Sequence, residues 1–134
     1  MTDTTEAVTT EFLRRLSVQD AHGLAELFAD EIDWNVPGEA DLPWTGRRSR
    51  QDQVAEYFGL LWQAFVAGES TAAVDKVVID GAEVVVLGTF AHTAVSTGKR
   101  FETPVAMHLT VTEGKIVRLH LYEDTLAVSK AFEA

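Results

Sequence analysis

The 134-residue chain reads as an α+β domain in which helices come first and pack on a long, curved antiparallel sheet. Three observations carry that reading. Apolar residues recur at helical spacing up to Phe28, and the pattern then switches to alternation at Ile32-Asp33-Trp34-Asn35-Val36, which Pro37-Gly38 stops. The second half is punctuated by Asp80-Gly81, Thr97-Gly98 and Glu113-Gly114, dipeptides of the kind that close antiparallel hairpins.

Taken in order, Val8, Phe12, Leu13 and Leu16 make one stripe of a first helix, predicted from Thr5 to about Val18. Ala21, Leu24, Ala25, Leu27 and Phe28 make a second, shorter helix. Ile32–Val36 is a strand that aims Trp34 at the interior. A loop carrying Trp44 leads to a longer helix predicted over Ser49–Ala67, with Ser49 as N-cap, Asp52 as a short capping-box acid, and Val54, Phe58, Leu61, Trp62 and Phe65 as its apolar stripe. Tyr57 flanks that stripe and reads as packing. Strands are predicted over Ala73–Ile79, Glu83–Ser96, Lys99–Thr112 and Lys115–Glu123, and a last helix over Thr125–Phe132, capped by Asp124. With no linker or repeat between them, these elements form a single domain spanning residues 1–134.

Eleven basic against 21 acidic residues leave a formal charge of −10, which repels a phosphate backbone and an anionic membrane surface. Nucleic acid and membrane are therefore excluded as expected partners. Arg47-Arg48 with Arg50 is the one basic cluster and reads as a solvated loop. Without cysteine there is no disulfide, thiolate nucleophile or thiolate metal site. The first residues lack the basic and apolar pattern of a secretory signal, so the expected location is cytoplasmic. No phosphate-binding glycine loop, histidine ligand spacing or nucleophile elbow is present, and neither a metal nor a cofactor is expected.

Strand parity says which side chains face inward. A two-residue Thr97-Gly98 turn pairs His92 with Thr103, Phe90 with Val105 and Gly88 with Met107. Val105, Met107, Leu109 and Val111 must face the core, so His92 faces it too and His108 points outward. His92 is then either a histidine satisfied by a neighbouring hydroxyl or an acid–base group, since its ordinary pKa suits proton transfer. For the last strand two registers compete. A two-residue turn at Glu113-Gly114 puts Arg118, His120, Tyr122 and Asp124 inside, whereas a bulged Thr112-Glu113-Gly114 turn buries Val117, Leu119 and Leu121 with Glu123 on their side. Burying three aliphatic side chains, each contributing roughly 1.5–3 kcal/mol, favours the bulged register. Trp34, Val36, Trp44, Phe58, Trp62, Phe90 and Met107 are the residues expected around a concave apolar cavity between helices and sheet, the default ligand site of such an architecture.

The order of elements, the Leu27-Phe28-Ala29-Asp30-Glu31 to Trp34-Asn35-Val36-Pro37-Gly38 segment, and the terminal Glu113-Gly114-Lys115 to Tyr122-Glu123-Asp124-Thr125 segment resemble the NTF2-like superfamily, and within it the SnoaL-like branch related to ketosteroid isomerases. The resemblance implies a cone-shaped, cystatin-like α+β fold with a deep pocket, and a homodimer formed through the outer sheet face. Steroid isomerases of this superfamily carry a tyrosine and two acids at or next to the positions where the resemblance puts Phe12, Val36 and Met107 of this chain. An apolar group at each of those places neither accepts a proton nor holds an enolate, so literal steroid isomerase activity is excluded. SnoaL-like cyclases use a carboxylate near the end of the last strand, and the resemblance places Asp124 there, with Tyr122 or His92 to orient or polarise a substrate oxygen.

Three readings stay open on this basis. One is a cofactor-independent cyclase, isomerase or lyase acting by acid–base chemistry on an apolar carbonyl compound. The second is non-catalytic binding of a small hydrophobic molecule. The third is a dimeric interaction module whose outer sheet face is its working surface.

Overall fold

Helix α1 (Asp3–Ser17) and helix α2 (Ala21–Glu26) realise the first two apolar patterns in the computed structural model, which describes residues 3–134. Asp20 caps α2 by accepting a 2.9 Å hydrogen bond from the Gly23 amide. The chain enters strand β1 (Phe28–Val36) one residue after α2 has been closed by Leu27, four residues earlier than alternation predicts, because an irregularity between Phe28 and Asp33 hides the period. Phe28, Ile32, Trp34 and Val36 all face inward and are buried.

A strand the sequence did not announce comes next. Gly46–Arg50 forms β2 and pairs antiparallel with β1, which places the Arg47, Arg48 and Arg50 cluster on a sheet edge instead of in a loop. Helix α3 (Asp52–Gln63) consequently starts three residues later than expected. Ser49 is a strand residue, and the expected cap is inverted: the Gln53 side chain reaches back and accepts from the Ser49 and Arg50 amides at 2.9 and 3.0 Å.

The meander follows as predicted, with β3 (Thr71–Asp80), β4 (Glu83–Thr93), β5 (Arg100–Thr112) and β6 (Lys115–Glu123), and α4 (Thr125–Ala131) ends the chain. The strand order is β2-β1-β6-β5-β4-β3. Four of the five strand pairings are antiparallel, but β1 lies parallel to β6, so the sheet is mixed at the place where the first strand meets the last. The β4–β5 connection is longer than a two-residue turn. His92 pairs with Phe101, Phe90 with Thr103 and Gly88 with Val105, two residues away from the expected register. A shift of two preserves parity, so the inward placement of His92 stands.

At β6 the turn is the two-residue one, with Glu113 and Gly114 at φ 52° and 78°. The extra residue sits further on, where the pairing jumps between Thr110–Arg118 and Val111–Ile116. Val117 is the bulge and stays half-buried, Ile116 takes its place in the core, and Leu119 and Leu121 are buried as favoured. Curvature has its own device. Pairing shifts on β3 between Val74 and Lys76, and a side chain at the facing Gly88 would strike the Ala73 carbonyl oxygen, so only glycine lets the strands close there. No helix among the described residues is long and apolar enough to cross a membrane.

Candidate functional site

Curvature of the sheet and the cover of α1 and α3 leave a cavity of about 190 Å³ on the inner face. An apolar space of roughly 150 Å³ already accommodates a benzene-sized molecule. Phe12 and Leu16 from α1, Phe58, Leu61 and Trp62 from α3, and Phe90, Met107, Leu119 and Leu121 from the sheet make its apolar wall. Ser17, Gln19, Ser70 and Thr71 give it a polar rim, because the end of α1 and the start of β3 meet there.

Polar groups reach the wall at two places. His92 enters from β4, its Nδ1 lying 2.8 Å from the Ser70 hydroxyl and its ring stacked on Phe65 at 4.0 Å. Burial, with the positive charge of Arg100 as a smaller cause, lowers the His92 pKa to about 4, so the ring is neutral at physiological pH. Tyr57 enters from α3, where the Arg48 guanidinium lies 5.3 Å from its ring centroid and donates to the Trp44 carbonyl at 2.9 Å. Burial raises the Tyr57 pKa, and the negative charge of Glu123 raises it further against the opposing effect of Arg48. The phenol therefore stays a hydrogen-bond donor.

Beside the main cavity, on the side facing α4, lies a chamber of about 30 Å³. The two spaces share Tyr57, Leu61, Phe90, His92 and Leu121 as a common wall. Glu123, at the end of β6, lines the chamber together with Trp44, Phe65 and Phe101. Its carboxyl has no hydrogen-bond or ion-pair partner among the described residues, and burial, followed by repulsion from Asp124, raises its pKa to about 7.

The expected site residues divide. His92, Phe58, Trp62, Phe90 and Met107 line the main cavity. Trp34 and Val36 do not: both are core, and Trp34 is enclosed by Phe28, Tyr57 and Phe58, with ring centroids 5.6, 4.7 and 6.1 Å away. Trp44 packs on Phe65 and Phe132 and reaches only the small chamber and the loop side. Tyr122 and Asp124 face away from the cavity. The bulge at Val117 sets the parity of β6 so that Tyr122 is 56% exposed, and the Asp124 carboxylate is spent on capping α4, accepting from the Ala127 amide at 3.0 Å. That corrects the expectation that either group works inside the pocket. Sequence reasoning placed Glu123 on the inward side without giving it a role in the site, and read Tyr57 as packing. Glu123 had a signal, since it continues the inward series Leu119, Leu121; Tyr57 lay one step off a helix stripe whose width the spacing alone did not define.

Comparison with known proteins agrees with this fold. The SnoaL-like domain model matches residues 9–119. An NTF2-like protein of Burkholderia thailandensis is similar in structure, with 25% identity, full coverage of both chains and a TM-score of 0.86. An NTF2-like protein of Burkholderia pseudomallei shares 21% identity over 98% of this chain and 99% of its own, with a TM-score of 0.88. TerC, crystallised with polyporic acid, shares 18% identity over 98% of this chain and 100% of its own, with a TM-score of 0.85. No match was found among curated proteins.

Proposed function

The chain belongs to the SnoaL-like family, and from that premise we propose that it binds a small, largely apolar molecule in the cavity between α1, α3 and the sheet. The observation that carries this reading is the cavity itself, about 190 Å³ with an apolar wall, a polar rim and only two polar side chains, His92 and Tyr57, on its inner surface. Burial of an aromatic or alicyclic body supplies most of the affinity, and the two polar groups orient one oxygen or nitrogen of the ligand. The structural neighbour crystallised with polyporic acid supports the reading, as a protein of the same fold crystallised with an organic compound.

Binding of 2-naphthol, followed by its own fluorescence, tests it. Ala72 lies on the inner face opposite Phe90 and lines the cavity, so Ala72→Trp fills the space from the exposed edge strand without disturbing the core. Saturable binding to the unsubstituted protein, lost in Ala72→Trp and retained in Asp124→Ala, is the expected result. No saturable binding, or equal binding by Ala72→Trp, refutes the pocket reading; loss in Asp124→Ala with an intact fold returns that carboxylate to the site.

A further inference from the structure

Strand β3 is a bare end of the sheet. It closes the strand order, pairs only with β4 among the described residues, and is exposed along its whole length from Thr71 to Asp80. Val74, Val77, Val78 and Ile79 have 48, 38, 45 and 39% of their surface in water. Such an edge presents a row of unpaired amides and carbonyls and is a template for another strand. Folds protect their edges with bulges and charge, and β3 has both, a bulge between Val74 and Lys76 and the charges of Asp75-Lys76. Two adjacent charges of opposite sign, however, repel a copy of themselves in one register and attract it in another.

Two copies of one strand that pair antiparallel about a twofold axis must match residues of the same face. On β3, Ala72, Val74, Val77 and Ile79 stand on the inner face, opposite Phe90, Gly88, Val86 and Val84, while Ala73, Lys76 and Val78 stand on the outer face, opposite Thr89, Leu87 and Val85. Full overlap of the two strands, with Thr71 against the second copy's Asp80, satisfies the rule. Ala72 then meets Ile79 and Val74 meets Val77, inner on inner, and Ala73 meets Val78, outer on outer. At the axis, Asp75 meets the second copy's Lys76, and Lys76 its Asp75. Without the extra residue at the bulge, the same overlap would set every inner side chain against an outer one. The bulge at the midpoint of β3 thus makes full overlap, matched faces and opposed charges coincide in one register.

We propose that β3 pairs in this register with β3 of a second copy of the chain, joining two six-stranded sheets into one, and that the second copy's Ile79 borders the mouth of the main cavity. Thr71 and Ala72 line that cavity, and Val74 lines the smaller recess beside it. The second copy's Ile79 and Val77 stand next to Ala72 and Val74 on the same face, so they extend the aliphatic wall where the sheet of one chain ends. This pairing gives a partner to Val77 and Ile79, which face inward by parity and yet are left open by their own chain. The surface is distinct from the outer sheet face, since a dimer formed there leaves the β3 edge free. The pairing stands on the strand alone, and its bearing on the cavity rests on the reading of that cavity as a small-molecule site.

Analytical ultracentrifugation at about 100 µM protein tests the pairing, with Asp75→Lys and Asp75→Lys/Lys76→Asp run beside the unsubstituted chain. The single variant sets like charges against each other at the axis; the double variant restores opposite charges with their signs exchanged. The expected result is a dimer, weakened by about tenfold or more in Asp75→Lys and returned to within about threefold in the double variant. A monomer, or a dimer indifferent to Asp75→Lys, overturns the proposal, and the second outcome assigns association to another surface. Because the chain has no cysteine, Ala72→Cys/Ile79→Cys reads the register directly. Those positions lie about 20 Å apart along one strand, so a disulfide between them joins two copies. A disulfide-linked dimer on mild oxidation is expected, with at least about tenfold less from Ala72→Cys/Val77→Cys, where the face is right and the register wrong; equal yields overturn the register. Binding of 2-naphthol should weaken by about threefold in Asp75→Lys and recover in the double variant. Equal binding by all three while the single variant loses the dimer overturns the second copy's part in the site. Absence of binding in a protein that dimerises as described refutes the pocket reading and leaves the pairing standing.

Discussion

On the outer face of β1, β4, β5 and β6, Asp33 accepts from Arg118 at 3.1 Å and pairs with His120 at 2.9 Å, while Glu83 accepts from Thr110 and meets His108, each at 2.7 Å. On the inner face of the same sheet, Glu123 has no such partner and His92 has only a serine hydroxyl. The opposite faces also shift their acids in opposite directions. Hydrogen bonds from His120 and Arg118 hold the Asp33 carboxyl below the usual range, and those from Thr110 and His108 do the same for Glu83, whereas burial pushes Glu123 up to about 7. An outer-face charge keeps some water and finds a counter-charge across the pleat at little cost; an inner-face charge loses water and gains nothing in return. The difference teaches where the fold accepts a cost, and the inner carboxyl is where it does so.

If the inner face holds the stability of the molecule in packing, Trp34→Ala should produce the largest effect, a loss of about 3–5 kcal/mol in urea unfolding. A loss under about 1.5 kcal/mol would mean that the aromatic cluster of Phe28, Trp34, Tyr57 and Phe58 is not the centre of the core.

The second expectation is a gain. The folded pKa of Glu123 lies above its unfolded value of 4.5, so the folded state binds the extra proton between those values and stability falls as pH rises from about 4.5 to 7. Glu123→Gln removes that loss. It should stabilise the protein on the order of 3 kcal/mol at about pH 8 and by almost nothing at about pH 4, where Glu123 is protonated in both states. Chemical denaturation at the two pH values checks it. His92, depressed to about 4, acts in the opposite sense, since its contribution is lost as pH falls below the unfolded value of 6.5. An acid-side decline should therefore persist in the Gln variant while the alkaline-side decline disappears.

The smallest effect belongs to the outer face. Asp33→Asn should cost at most about 1 kcal/mol, because its carboxylate and the Arg118 side chain are 44% and 39% exposed. About 1 M salt should remove most of that difference. A larger, salt-insensitive loss would show that the outer network is buried in solution, which is how a second copy seated on this face would announce itself.

Much of the fold was legible because it follows from local chemistry. Turn dipeptides with glycine at positive φ mark Asp80-Gly81 and Glu113-Gly114, and period-two alternation fixes the inward parity of Phe90, His92, Val105 and Met107 whichever of the two registers is taken. β2 escaped notice because Gly46–Arg50 has no apolar alternation; its pairing depends on the free edge that β1 offers. The site was legible in half. Phe58, Trp62, Phe90, Met107 and His92 follow from stripes and parity, and Trp34, Val36 and Trp44 were misplaced because an inward residue is equally well core or cavity wall.

By itself, then, the sequence determined the elements, their order and the face each side chain takes, since those depend on periods of 2 and 3.6 residues and on turn chemistry within a few positions. Tertiary structure alone decided which of the inward residues border empty space, and where on β6 the bulge that turns Glu123 inward lies. One extra residue at Val117 sends Glu123 to the chamber and leaves Tyr122 in solvent, with Asp124 free to cap α4. The physical reason is that a strand exchanges its faces with every residue inserted, and the position of a bulge is set by pairing with a neighbour distant in sequence.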